Sequence, residues 1–361
     1  MGALLTLRED LRDLKPYVAG KLIPGLVKLS SNENPRGPSP KALEALAQAA
    51  SELHLYPDGA ATELRKTLAE LYKLKPGNFL VGNGSDEVFT LLAGAFIRPG
   101  DHGLTAQETF SEYTFAVRLF GGVMDKVPLS QGFYDLDAIA AAIEPKTRII
   151  FLCNPNNPTG TAFNQRQLEE FLGRVPPTVL VVLDEAYGHY AQMPDFPQSF
   201  SLLERWPNLV VSRTFSKIYG LASLRLGFIA ASEAVIRDVS VVKQPFNVGN
   251  MTQKAGIAAL HDLKFVNESL ALNREGLEFW NQKLATRGLS PYPTQANFFC
   301  LEVGRDAQAV AAAMIEGGVT IRPLTSFGLP NAIRITTGTP EQNQLCWKAL
   351  CHALDTIPTV R

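Results

Sequence analysis

The sequence predicts an α/β fold: a three-layer α/β/α large domain around a mainly parallel sheet, with a smaller α+β domain beside it. Three short apolar runs carry that expectation, at residues 149–153, 179–183 and 209–211. They are rich in β-branched residues and do not alternate with polar ones, which is how strands covered on both faces read. Their starts lie about 30 residues apart, the length of one strand–helix–strand unit.

The remaining elements follow in order. A polar, proline-rich stretch over 31–40 precedes a helical pattern over 42–53. A second helical pattern, 62–74, stops at the Lys75-Pro76-Gly77 breaker. From there to about Ala231, apolar runs alternate with amphipathic stretches, and a further strand is expected over 228–231. The last third changes character. Helical stretches cover 250–287, then come a strand over 297–303 and a helix over 307–316. Strands over 319–322 and 332–336 precede a final helix over 341–354. A chain of 361 residues exceeds what one core usually supports. The large domain is therefore placed at 38–246. Residues 1–37 and 247–361 are read as an N-terminal arm plus the small domain.

Composition narrows the function classes. A net charge of −1, from 34 basic and 35 acidic residues, leaves no positive excess for following a phosphate backbone, so no nucleic-acid partner is expected. Cys153, Cys300, Cys346 and Cys351 form no C-x-x-C pair, and the histidines include no H-E-x-x-H. Free thiols and no metal are the expectation, with His54, His102 and His189 read as surface or packing residues. No apolar run approaches the roughly 20 residues that span a bilayer. The first residues lack a basic segment ahead of a long apolar stretch, and Gly2 with Thr6 fits only the loose myristoylation pattern. A cytoplasmic protein with no membrane attachment is expected.

In open parallel sheets the ligand lies beyond the carboxyl ends of the strands, so the residues after each run sample the site. NPNNPTG (154–160) follows the first run, DEAY (184–187) the second, and SRTFSK (212–217) the third, with Arg225-Leu226-Gly227 beyond it. One cofactor accounts for this set. Pyridoxal 5'-phosphate needs an amine for its aldehyde, a carboxylate for its ring nitrogen, donors for its phenolic oxygen and a cradle for its phosphate. Lys217 offers the amine and Asp184 the carboxylate. Asn157 and Tyr187 can donate to the phenolic oxygen, and Thr214, Ser216 and Arg225 can hold the phosphate.

Two other chemistries are set aside. Asp184 and Glu185 are adjacent near a strand end and point to opposite sides, so they do not act as the paired carboxylates of a glycosidase. Gly82-x-Gly84 lacks the third glycine of a dinucleotide fingerprint, because position 87 is Glu.

Taken together, NPNNPTG, DEAY and SRTFSKIYGLASLRLG resemble the fold-type I aminotransferases. LSSNENPRGPSP, YPDG, GNGSDEVF and PFNV narrow the resemblance to the histidinol-phosphate aminotransferase family, from about Leu14 to the C-terminal helix. That resemblance implies a homodimer with active sites at the interface. It implies that Ser85 and Asp86 present backbone amides to the phosphate at a helix N-terminus, and that Phe110 stacks on the pyridine ring. It also implies that Tyr56 reaches the neighbouring subunit's phosphate, and that Tyr17, Arg322 and Arg334 bind substrate. Glu108-Thr109-Phe110 departs from the family's pattern, with no proline before the Thr–aromatic pair and no hydroxyl on the ring.

The implied reaction is transamination, with Lys217 as general base. Histidinol phosphate and 2-oxoglutarate are the implied pair, in histidine biosynthesis. An aromatic amino acid aminotransferase, a threonine-phosphate decarboxylase and a cofactor-binding regulator are the alternatives. Arginine grips a phosphate or a carboxylate equally well, so the donor is left open.

Overall fold

Residues 6–12, 14 and 23–360 are described by the computed structural model, and Tyr17 lies outside them. The strands are β1 (Val27–Lys28), β2 (Phe79–Gly82), β3 (His102–Ala106), β4 (Val123–Val127), β5 (Thr147–Cys153) and β6 (Leu180–Asp184). They continue as β7 (Leu209–Thr214), β8 (Gly227–Ala231), β9 (Phe298–Glu302), β10 (Val319–Thr320), β11 (Arg322–Pro323) and β12 (Ala332–Thr336). Seven form one sheet in the order β2-β8-β7-β6-β5-β3-β4. β4, β3, β5, β6 and β7 run parallel, and β8 lies antiparallel between β7 and β2. Every residue of β6, β7 and β8 is buried, because helices cover both faces and the unbroken apolar runs have no solvent side to serve.

The strand order also locates a crevice. The chain steps from β3 outward to β4, then returns to the other side of β3 for β5 and continues away through β6 and β7. Ligands bind at such a reversal, beyond the carboxyl ends of the flanking strands. Here those ends lead into Thr109-Phe110 after β3 and Asn154–Asn157 after β5. The two loops are tied where Thr109 Oγ1 donates to Asn156 Oδ1 at 2.8 Å.

β9, β11 and β12 form a second, antiparallel sheet, and β1 pairs in parallel with β10. Their core gathers Leu29, Trp280, Phe299, Met314, Ile333 and Leu350. The strand expected over 319–322 is therefore two. β10 pairs with the N-terminal β1, Ile321 carries the chain across, and β11 pairs with β12. Helix Asn250–Leu260, read from sequence as part of the second unit, buries Ala255, Ala259 and Leu260 in the same cluster as the large sheet. Among the described residues no helix is long and apolar enough to cross a membrane.

Three glycines meet where β2, β8 and the helix Gly84–Phe96 converge. Gly227 is the register partner of both Gly82 and Thr214. A Cβ on Gly227 would stand 2.7 Å from the carbonyl carbon of Gly84 and 2.8 Å from the Ser85 nitrogen, both backbone atoms. Gly227→Ala must therefore push the strand from the helix start, at about 1–3 kcal/mol. Gly173→Ala is the control, since Gly173 is right-handed helical and its added Cβ meets atoms no nearer than 3.5 Å. Denaturant unfolding should show the loss for Gly227→Ala alone; equal midpoints for both variants would contradict this packing.

Candidate active site

The carboxyl ends of β5, β6 and β7 bring the sequence motifs to one edge of the sheet. Asp184 ends β6 and is buried. Its Oδ2 accepts from the Tyr113 hydroxyl at 2.6 Å, and its Oδ1 from the backbone N–H of Ala186 at 3.1 Å. Burial raises its pKa to about 7, although both hydrogen bonds oppose the rise. Glu185 points the other way, as adjacent residues at a strand end must. It accepts from Arg213 Nε at 2.9 Å and Nη2 at 2.5 Å, and from the Ser199 hydroxyl. Arg213 in turn lies 3.2 Å from His189 Nδ1. His189 is thus a packing residue, held neutral by burial and the adjacent guanidinium.

Lys217 reaches in from the loop after β7. Its Nζ donates to the Ser31 carbonyl at 3.2 Å and lies 5.6 Å from the centre of the Tyr187 ring. Burial, then the positive charge of Arg334, lowers its pKa to about 8. An amine so placed is neutral, and hence nucleophilic, far more of the time than a solvated lysine.

Arg334 is buried on β12. It donates to Asn157 Oδ1 through Nη1 and to the Ser30 carbonyl through Nη2, the latter at 2.8 Å, with its guanidinium 5.3 Å from the Phe298 ring centre. With Oδ1 occupied, the amide N–H groups of Asn157 are directed elsewhere. Arg322 is the register partner of Arg334 across the β11–β12 pair. Directly opposed residues of antiparallel strands share a face, so the two arginines lie on the same side of the small sheet.

A polar cradle lies where β2 turns into the helix Gly84–Phe96. The first amides of a helix have no intrahelical partner, and Ser85 and Asp86 are in that first turn. Arg225 donates to Asp86 Oδ2 at 2.9 Å and reaches Ser216 Oγ at 3.5 Å. Thr214 Oγ1 accepts from the Ser216 N–H at 3.1 Å. Arg225 has φ +50°, an unusual left-handed conformation for a long side chain. A Cβ on Gly84 would stand 2.6 Å from Arg225 Nη2, so only glycine lets the guanidinium come this close to the helix start.

Phe110 packs edge-on to Tyr113, with ring centres 5.7 Å apart, and Tyr113 stacks on Phe151. Phe110 thus belongs to the aromatic group that also holds Asp184. Tyr56 stands apart from these residues. It is 85% exposed and stacks on Phe246, with ring centres 4.9 Å apart.

Two groups of residues were given no role by the sequence reading, although Ser30, Ser31 and Asn32 lie in its LSSNENPRGPSP motif. Tyr113 follows Phe110 by one helical turn, and its spacing is the only signal that could have flagged it. The segment Ser30-Ser31-Asn32 crosses the site, touching Arg334, Lys217 and Tyr187 in turn. A left-handed Asn32 in a polar stretch leaves no periodic signature.

The chain matches the family model for "Aminotransferase class I and II" over residues 24–350. It is similar to a histidinol-phosphate aminotransferase of Moorella thermoacetica, 44% identical over 96% of this chain and 92% of that protein. One from Symbiobacterium thermophilum is 42% identical over 97% and 99% of the respective chains. Among solved structures, the histidinol-phosphate aminotransferase from Sinorhizobium meliloti in complex with pyridoxal-5'-phosphate matches with a TM-score of 0.91 at 27% identity. That match covers 98% of this chain and 99% of the other.

The raised pKa of Asp184 makes the ligand-free protein sensitive to pH. The folded state binds the carboxyl proton more tightly than the unfolded chain, so its contribution is full below the ordinary value of 3.8 and lost as pH rises through about 7. The melting temperature of the ligand-free wild type should fall between about pH 4 and pH 7, and Asp184→Asn should flatten that fall. Identical pH profiles for the two proteins would contradict the assignment.

Proposed function

The chain belongs to the class I and II aminotransferases, in their histidinol-phosphate branch, and on that premise we propose that it exchanges an amino group between histidinol phosphate and 2-oxoglutarate. Its fold is that of the fold-type I pyridoxal-phosphate enzymes. The donor set fits pyridoxal 5'-phosphate at each end: Asp184 for the ring nitrogen, Asn157 and Tyr187 for the phenolic oxygen, Phe110 for the ring face. Thr214, Ser216, Arg225 and the amides of Ser85 and Asp86 suit the phosphate, and the glycine at 84 keeps that cradle open.

When bound, the cofactor supplies an aldehyde that accepts the donor's amine and a ring that disperses the charge left on its α-carbon. Lys217 is the residue that carries it and, once displaced, moves the α-proton. A lowered pKa suits both tasks, since each needs the free amine. Asp184 keeps a cationic ring nitrogen favourable: burial makes an unpaired carboxylate costly, and a protonated pyridine is the partner that removes the cost.

Substrate choice rests on Arg322 and Arg334. A phosphate dianion takes two guanidinium partners where a carboxylate is satisfied by one bidentate contact, and the register of β11 with β12 puts two arginines on one face. The single observation that favours a phosphorylated donor is this pairing. By resemblance Tyr17 joins them.

The active unit is read as a homodimer. Tyr56 is exposed against Phe246, its sequence neighbours Leu53 and Leu55 are exposed, and so are Val241 and Val242 on the same stretch as Phe246. Solvent-facing apolar side chains of this kind support an interface, and by resemblance Tyr56 enters the neighbouring subunit's site. Four free cysteines suit a reducing, cytoplasmic setting.

The test is spectral conversion of the cofactor in single half-reactions. Histidinol phosphate should convert it faster than phenylalanine, tyrosine or threonine phosphate. Arg322→Ala should lower kcat/KM for histidinol phosphate by about ten- to a hundredfold, the worth of one charged hydrogen bond, and affect phenylalanine less. A wild type that prefers phenylalanine, or equal losses for both donors, would move the assignment to an aromatic aminotransferase.

A further inference from the structure

Asn32 is buried at φ +56°, a conformation that asparagine tolerates better than most residues. Its side chain sits between two hydroxyls. The Asn32 backbone N–H donates to Thr336 Oγ1 at 2.9 Å, and the Thr336 hydroxyl donates back to Asn32 Oδ1 at 3.1 Å. The amide nitrogen, Nδ2, then faces the Tyr187 hydroxyl at 2.9 Å. The Asn32 carbonyl is pinned separately, accepting from Asn297 Nδ2 at 3.1 Å.

Directionality follows from this arrangement. A primary amide nitrogen donates and cannot accept, so the Tyr187 oxygen is the acceptor and its own proton must point elsewhere. Turning the amide over would aim Oδ1 at Tyr187 and capture that proton. It would also strip the buried Thr336 hydroxyl of its acceptor, an expensive loss away from water. Phe298 packs edge-on against the Tyr187 ring, with centres 5.0 Å apart, so the phenol does not swing to find another geometry. Lys217, Arg334 and Asp184 are its charged neighbours.

We infer that Asn32, locked by Thr336, is a positioning residue that keeps the Tyr187 hydroxyl proton free to point into the active site, toward the cofactor's phenolic oxygen. This rests on the reading of Tyr187 as a donor to that oxygen. Such a donor stabilises negative charge on the oxygen and weakens its hold on the proton it shares with the lysine linkage. The relay should therefore hold down the pH at which the lysine–cofactor chromophore loses its proton.

The experiment is an absorbance titration of the holoenzyme, with Kd for pyridoxal phosphate measured alongside. Asn32→Asp replaces the donating nitrogen by an accepting oxygen, so the carboxylate takes the Tyr187 proton. The midpoint should rise by about one pH unit or more, as it should for Tyr187→Phe. The carboxylate's charge alone would also raise the midpoint, and the double variant separates the two causes. With Tyr187→Phe already present, Asn32→Asp should add little. Should Asn32→Asp fail to fold, Thr336→Val makes the same comparison without a new charge, because it frees the amide to turn. A midpoint unmoved by these variants, or moved equally with and without the Tyr187 hydroxyl, overturns the relay. No shift for Tyr187→Phe itself would remove the premise, and the proposal with it.

Discussion

Asp184 holds its carboxylate inside the protein at the end of β6, and a buried carboxylate is stable only as an acid or beside a positive group. Its partners are the Tyr113 phenol and the Ala186 amide, which leave its pKa near 7. A cationic ring nitrogen, such as the proposed cofactor would bring, would favour the ionised form of this carboxyl. Glu185, one residue on, meets the opposite fate, because its burial is matched by the Arg213 guanidinium. One strand end supplies a structural ion pair on one side and a poised carboxylate on the other.

The arrangement around Asp184 depends on segments distant in sequence. Tyr113 comes from the helix after β3, 71 residues away, and its ring stacks on Phe151 of β5. Ser30, Ser31 and Asn32 arrive from the N-terminal arm, which β1 anchors to β10 in the smaller unit. Their carbonyls accept from Arg334 and Lys217 at adjacent positions. The segment thereby links the lysine in the loop after β7 to the arginine on β12. Burial, and then the arginine brought close in this way, lowers the lysine's pKa, which suits an amine proposed as nucleophile and base.

Much of this was legible in the sequence, for a physical reason. Strands β5, β6 and β7 are covered on both faces, so their apolar runs are unbroken and the motifs after them fall at one edge. β4 was not legible, because it is an edge strand with Val123 and Lys126 exposed. The break between β10 and β11 was hidden because Val319 to Pro323 reads as one extended stretch, and only its two different partners divide it. Asn32 and Tyr187 are 155 residues apart, and no local pattern encodes a hydrogen bond across that distance. Lys217, Asp184, Asn157 and Arg225 could be singled out as candidates because the proposed chemistry constrains residue type as well as place.

The central claim is that Lys217 carries the cofactor, and covalent trapping tests it most directly. The protein would be loaded with pyridoxal phosphate, reduced with borohydride, digested and mapped by mass spectrometry. A single pyridoxyl label on the peptide containing Lys217, lost in Lys217→Ala, is the predicted result. A stoichiometric label on another lysine, or none in a protein that has bound the cofactor and turns over, would contradict it.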